Sequence, residues 1–179
     1  ALESDNMNVG NILREAGYIT GFVGKFHLTS HLDFPELYKG KDGWIDIPKG
    51  AGPGPEVSAQ FKHNERWMRR YLKTLGFSWA KNVYAENMPS PYSVHNAEWT
   101  TAAALEFIEN NKDGPFYLHL CSTLLHGPDR SWRRSMDNPL VSGEGEIESL
   151  PEVMTPRSKL LRTIKDKGFD PESHVAGEA

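Results

Sequence analysis

Twice along this chain, a helical pattern leads through a turn into a short apolar strand pattern, and this arrangement favours an α/β fold. In the first unit, apolar side chains recur at helical spacing over residues 8–16, Gly17 ends the helix, and residues 19–23 predict a strand. In the second unit, residues 96–111 predict a helix, and Phe116–Cys121 has the apolar run of a strand buried on both faces. Strands linked through helices are typical of a mainly parallel sheet.

Polar side chains follow both predicted strands. Lys25 and His27 come where the first strand ends, and Ser122, Thr123 and His126 follow the second. Ligands of open α/β sheets bind at the carboxyl ends of the strands, so a cation and imidazoles there suit an anionic substrate. The two strand ends form one crevice if the strands are neighbours in the sheet. The alternative is that these residues are ordinary solvated side chains of surface turns.

The residues around these strand ends resemble the type I sulfatases. Residues 13–28 read LREAGYITGFVGKFHL and are similar to the family pattern E-A-G-Y-x-T-x-x-x-G-K-W-H-L-G. Residues 99–128 are similar to the family's next block, which ends in a substrate-site histidine. The resemblance implies an alkaline-phosphatase-like sandwich, in which a mainly parallel sheet is flanked by helices.

The resemblance also implies that residues 1–179 are part of a sulfatase catalytic domain. The similar blocks span residues 7–30 and 94–130, whereas residues 31–95 and 129–179 are loop-rich and are expected to shape the substrate site.

Residue roles follow from the same resemblance. Lys25 matches the lysine that contacts the sulfate and the catalytic aldehyde hydrate, and His27 matches the histidine that hydrogen-bonds this hydrate and helps to release sulfate. His126 matches the histidine that binds the sulfate ester and protonates the leaving alcohol. Fixed cations suit the negative charge that develops during sulfate transfer. Arg130 and Arg133 lie just beyond His126 and are expected to bind a sulfated substrate.

The family's nucleophile and metal ligands are not recognisable in this sequence. Sulfatases use a formylglycine made from Cys or Ser in a C/S-x-P/A-x-R motif, but the one cysteine, Cys121, lies in LCSTL and indicates a small core residue. The Asp-Asp pair and the later Asp-Asn or Asp-His pair that hold calcium in the family are not recognisable either. We therefore expect calcium and formylglycine in an intact parent, neither carried by this segment, and no turnover by the segment alone.

The function that the resemblance implies is hydrolysis of a sulfate ester of an aryl or carbohydrate substrate, so the expected partner is a sulfated small molecule or glycan. Two alternatives stay open: a phosphodiester or phosphonate ester hydrolase of the same superfamily, and a non-catalytic sulfatase-like protein that binds sulfated glycans. The nucleophile motif would separate the two hydrolases.

Composition excludes some other classes. The net charge of −4 argues against a nucleic-acid partner, although Arg66, Arg69 and Arg70 surround Trp67 and Tyr71 in a basic and aromatic cluster. No apolar run is long enough to span a bilayer, and one cysteine allows no intrachain disulfide. The resemblance implies a periplasmic, secreted or lysosomal location, while the residues themselves fix neither compartment nor oligomeric state.

Three further patterns complete the sequence-based predictions. Residues 31–95 are predicted to be irregular except for a helix at 64–75, with an apolar face made by Trp67, Met68, Tyr71 and Leu72. A second helix is predicted at 158–167. His27, His31 and Asp33 suggest zinc, but this histidine spacing requires a helix that the nearby Gly, Thr and Ser disfavour, so no metal residue is assigned.

Overall fold

The structure, a computed structural model, describes residues 7–26, 43–48, 50–85, 88, 92, 95–123 and 141–149. His27, His126, Arg130, Arg133 and the helix predicted at 158–167 lie outside the described residues.

A parallel three-stranded sheet forms the centre of the described fold, with the order β2-β1-β3. Its strands are β1 (Ile19–Phe26), β2 (Trp79–Ala85) and β3 (Phe116–Cys121), and a short antiparallel pair follows, β4 (Val141–Ser142) and β5 (Gly145–Glu146). The helices are α1 (Val9–Glu15), α2 (Pro55–Thr74) and α3 (Asn96–Asn111). The α/β class with a parallel sheet flanked by helices is confirmed, and it is consistent with part of an alkaline-phosphatase-like fold.

Local signals explain the first helix and its connection to β1. The Asn8 side chain accepts hydrogen bonds from the backbone N–H groups of Gly10 and Asn11, which caps the start of α1. Gly17 follows the helix with a φ of +86°, a backbone conformation that favours glycine. The strand then continues to Phe26, three residues beyond its predicted end, so Lys25 lies within β1 rather than after it.

The helix α2 covers one face of the sheet. It begins nine residues before the predicted helix start, because Pro55 occupies a first-turn position where a missing N–H costs nothing. Its predicted apolar face is confirmed: four side chains are buried and pack with Phe22 and Phe26 of β1, namely Trp67, Met68, Tyr71 and Leu72. Among all the residues that the structure describes, no helix is long and apolar enough to cross a membrane.

The opposite face of the sheet is covered by α3, whose bounds match the predicted ones. Gly21 of β1 allows this close packing, because a Cβ there would lie 2.6 Å from the Phe107 ring. Two apolar side chains of α3 outside this packed face, Leu105 and Ile108, are exposed in the described structure. β3 is likewise an edge strand that is only partly buried, with Leu120 48% exposed, rather than a strand buried on both faces.

The prediction of irregular structure across residues 31–95 is also wrong, because it missed β2. The sequence of this strand, WAKNVYA, is interrupted by Lys81 and Asn82 and shows no clean strand pattern. Asn82 forms a β-bulge with a φ of +52°. Lys81 is paired with Val23 and Val83 with Gly24, so Asn82 is an extra residue without a partner position in β1.

Candidate functional site

The three parallel strands end together at one edge of the sheet. Lys25, next to last in β1, is paired with Tyr84 of β2, and Gly24 is paired with Cys121 of β3. β1 and β3 are therefore direct neighbours, which is the condition that the shared crevice required. Whether His27 and His126 meet there stays a prediction, since both lie outside the described residues.

The face on which Lys25 lies follows from its neighbours. Phe26 and its partner Ala85 belong to the core beneath α2. Tyr84 lies on the other face, where its ring is 6.1 Å from that of Trp99 in α3. Because side chains alternate along a strand and paired residues share a face, Lys25 lies beside Tyr84 on the α3 face. Its side chain is partly buried at the edge where ligands of such sheets bind.

Gly24 is the residue that makes this placement possible. Its φ is +95°, and a Cβ at this position would lie 2.2 Å from the backbone oxygen of Cys121. An L side chain is disfavoured there both by the backbone conformation and by the close approach of β3. The glycine of the G-K pair therefore has a definite structural role, because it lets β3 pack against β1 immediately before Lys25.

Tyr84 forms a polar network beside Lys25. The Tyr84 hydroxyl lies 3.3 Å from Oγ1 of Thr123, which is the second residue after the end of β3. The side chain of Asn96, the first residue of α3, also lies near this hydroxyl and lowers its pKa slightly. Burial raises the pKa of Tyr84, so this hydroxyl stays protonated at neutral pH and retains a proton to donate. We call Lys25, Tyr84, Thr123 and Asn96 the carboxyl-edge cluster.

The bulge in β2 sets the register of Tyr84. Oε1 of Glu65 in α2 accepts a hydrogen bond of 3.0 Å from the N–H of Asn82, and the Asn82 side chain donates to the backbone oxygen of Trp99 at 2.6 Å. Residue Asn82 is thus held by helices on both faces of the sheet. If Asn82 were paired regularly instead of bulged, Tyr84 would lie opposite Phe26 and on the opposite face of the sheet.

Glu65 gives a testable pH dependence. Burial raises the pKa of this carboxyl; Arg69 and the bulge N–H groups lower it by smaller amounts, and Glu144 adds to the rise. Because the pKa is raised in the folded state, the Glu65 carboxyl loses its proton at a lower pH in the unfolded chain than in the folded protein. Stability should therefore fall as the pH rises from the ordinary glutamate value of about 4.3. Glu65→Gln retains an oxygen acceptor for the bulge and should remove this fall.

The measurement is the free energy of unfolding in urea from about pH 4 to pH 7. Glu109→Gln removes a carboxylate from an exposed position on α3 and serves as the control. Parallel pH profiles for the wild type and Glu65→Gln would contradict the assignment.

His119 and Cys121 are not suited to catalysis at this edge. His119 Nδ1 lies 2.8 Å from the Tyr117 hydroxyl and its ring stacks on Phe22, so it belongs to the α2 face. The His119 ring is partly buried. Burial lowers the pKa of His119 and raises that of Cys121, leaving a neutral imidazole and a protonated thiol. The predicted core position of Cys121 is also only partly buried.

The described residues do not fit a calcium site. They contain no group of three or more His, Cys, Asp or Glu side chains placed to hold a metal ion. Calcium prefers six to eight oxygen ligands, with several carboxylates among them. The carboxyl-edge cluster instead combines one cation with neutral hydroxyl and amide groups, which suits an anion.

The chain is similar, at low sequence identity, to two arylsulfatases. The chain is 25% identical to arylsulfatase G of the dog over an alignment of 186 positions, which covers 94% of this chain and 34% of that protein. It is 26% identical to arylsulfatase G of the rat over an alignment of 194 positions, which covers 99% of this chain and 34% of that protein. The two similarities indicate a distant relation to the sulfatases. No family model matches the chain.

The chain spans about a third of the length of the curated relatives it matches. The sequence indicated Lys25 through the motif and Thr123 through its place after the second predicted strand, but it gave no sign of Tyr84 or Asn96. The position of Tyr84 depends on β2 and its bulge, which no local pattern revealed.

Proposed function

We propose that this chain forms part of a sulfuric ester hydrolase that cleaves a sulfate ester of an aryl or carbohydrate substrate. The observation that carries the proposal is the position of Lys25. Lys25 lies at the carboxyl edge of a parallel sheet, directly after Gly24, where the backbone conformation and the approach of β3 disfavour any other residue. This stretch also resembles the sulfatase pattern. The distant similarity to two arylsulfatases supports the same reaction class.

Lys25 would bind the sulfate group and neutralise the charge that develops on its oxygens. An ammonium group fixed at a partly buried edge stabilises such charge better than mobile water, because it needs no reorganisation. The Tyr84 hydroxyl adds a neutral hydrogen-bond donor beside it. His27 and His126 are proposed, from the resemblance alone, to act on the aldehyde hydrate and on the leaving alcohol.

The reaction also requires groups that the described residues do not supply. The resemblance implies a formylglycine nucleophile and calcium, and we propose that other parts of a longer parent protein provide both. The role assigned to this chain is therefore to bind and orient the ester. The segment alone is expected not to turn over.

The test compares esters that differ in the group transferred. The longer protein that contains this chain is assayed with 4-nitrophenyl sulfate, bis(4-nitrophenyl) phosphate and a 4-nitrophenyl phosphonate. We expect kcat/KM for the sulfate ester to be higher by about a hundredfold or more, equivalent to about 2.7 kcal/mol of transition-state discrimination. A preference for either phosphorus ester would replace the proposal with the superfamily alternative. Binding of sulfated glycans without any turnover would favour the non-catalytic one.

A further inference from the structure

A groove lies along the outer side of α2, away from the sheet, and its described lining is basic. Its described lining consists of five side chains around a cavity of about 440 Å³: His63, Arg66, Arg69, Arg70 and Lys73. We call this feature the α2 basic groove.

The cations of the groove recur at helical spacing on an exposed face. Arg66, Arg69, Arg70 and Lys73 are all exposed and lie one turn apart, so they present a row that extends for about 10 Å along the helix. Guanidinium groups match the paired oxygens of sulfate, phosphate and carboxylate, which favours an anionic ligand.

The described lining of the groove contains no acidic side chain. Oε2 of the neighbouring Glu65 pairs with Arg69 at 3.8 Å, and its Oε1 accepts a hydrogen bond from the N–H of Asn82. Cations placed three and four residues apart repel one another on a helix. A multiply charged anion that contacts several of these cations would lower that repulsion.

The aromatic residues near these arginines do not line the groove. Trp67 and Tyr71 are each only 2% exposed and stack on each other within the core, with ring centroids 5.5 Å apart. The basic and aromatic cluster suggested by the sequence is therefore not a surface for base stacking, on which binding of single-stranded nucleic acid depends.

One end of the groove is fixed by the segment 43–48. Nε2 of His63 lies 2.6 Å from the backbone oxygen of Gly43, and the Asn64 side chain bonds both the N–H and the carbonyl of Ile45, at 2.9 and 2.7 Å. These hydrogen bonds fix the segment against α2, so this end of the groove has a defined structure.

We propose that the α2 basic groove binds a linear, multiply sulfated polysaccharide at a site separate from the carboxyl-edge cluster. Lys25 lies on the α3 face of the sheet and the groove lies outside α2, so the sheet separates the two. The choice of sulfated rather than other anionic polymers rests on the proposed function. Such a groove would hold a polymeric substrate while another part of it is processed.

The experiment measures binding of fluorescent dextran sulfate to the full chain by anisotropy, from about 50 to 300 mM NaCl. In the test variant, Arg66→Gln, Arg70→Gln and Lys73→Gln are combined, since glutamine keeps helix propensity while removing charge. Affinity should fall about tenfold or more, and the salt dependence should become shallower. Unsulfated dextran should not bind.

The control variant removes the same charge elsewhere, with Arg14→Gln, Lys81→Gln and Lys112→Gln combined. Retained affinity in this variant supports the groove, whereas an equal loss in both variants would mean attraction to net charge and overturn the proposal. Equally tight binding of single-stranded DNA through the same residues would overturn the choice of a polysaccharide. In the longer protein, the groove variant should keep its kcat/KM for 4-nitrophenyl sulfate, because this ester is too small to reach from the carboxyl-edge cluster to the groove. Failure of the groove and failure of the proposed catalysis can therefore be told apart.

Discussion

Gly24→Ala should destabilise the protein by about 3 kcal/mol or more, because two costs add at this position. An alanine would be held at a φ of +95°, and its Cβ would be placed 2.2 Å from the backbone oxygen of Cys121. The neighbouring atom belongs to the backbone of β3, so relief requires the two strands to separate. The measurement is the free energy of unfolding in urea, combined with amide hydrogen exchange across β3.

Two other glycines separate the causes of that loss. Gly17→Ala imposes a positive φ of 86° with nothing within 4 Å, so it should cost only about 1 kcal/mol. Gly114 has neither a positive φ nor a close neighbour, and Gly114→Ala should be nearly neutral. If Gly24→Ala cost no more than Gly17→Ala, the close contact between β1 and β3 would be disproved.

The sequence predicted the elements whose signals are local. The bounds of α3 and β3 match the prediction, and α1 lies within its predicted range, with Asn8 as its cap and Gly17 after its end. Helix periodicity, a capping side chain and a glycine at positive φ each act within one or two turns of chain, so they can be recognised without knowing the tertiary structure.

Features that depend on distant partners were not predicted. β2 contains a bulge at Asn82 whose stability comes from Glu65 in α2 and from the Trp99 carbonyl in α3, and none of these contacts is visible in the strand itself. The exposure of Leu120 also eluded prediction, because an apolar run does not reveal whether a strand has one neighbour or two.

The residues of the candidate site were likewise predicted only in part. Lys25 was identified because a motif carries it, and the adjacency of β1 and β3 then placed its strand beside the one that precedes His126. Tyr84 lies on the same face as Lys25 only because of the bulge in β2. Residues of the cluster were therefore recognisable from sequence where a family motif or the end of a predicted strand marked them, whereas Tyr84 depends on the sheet register.

Lys25→Ala should lower kcat/KM of the longer protein for a sulfate ester by about a hundredfold to a thousandfold, the usual loss when one fixed charge-stabilising donor is removed. Lys25→Met keeps most of the aliphatic stem and should show a similar loss, which separates charge from packing. Lys81 lies earlier in β2, where it pairs with Glu106, so Lys81→Ala should leave turnover unchanged and serves as the control. Unchanged thermal stability would show that the Lys25 variants are folded. Near-normal turnover in both of them would remove Lys25 from the reaction and leave the carboxyl-edge cluster with a structural role only.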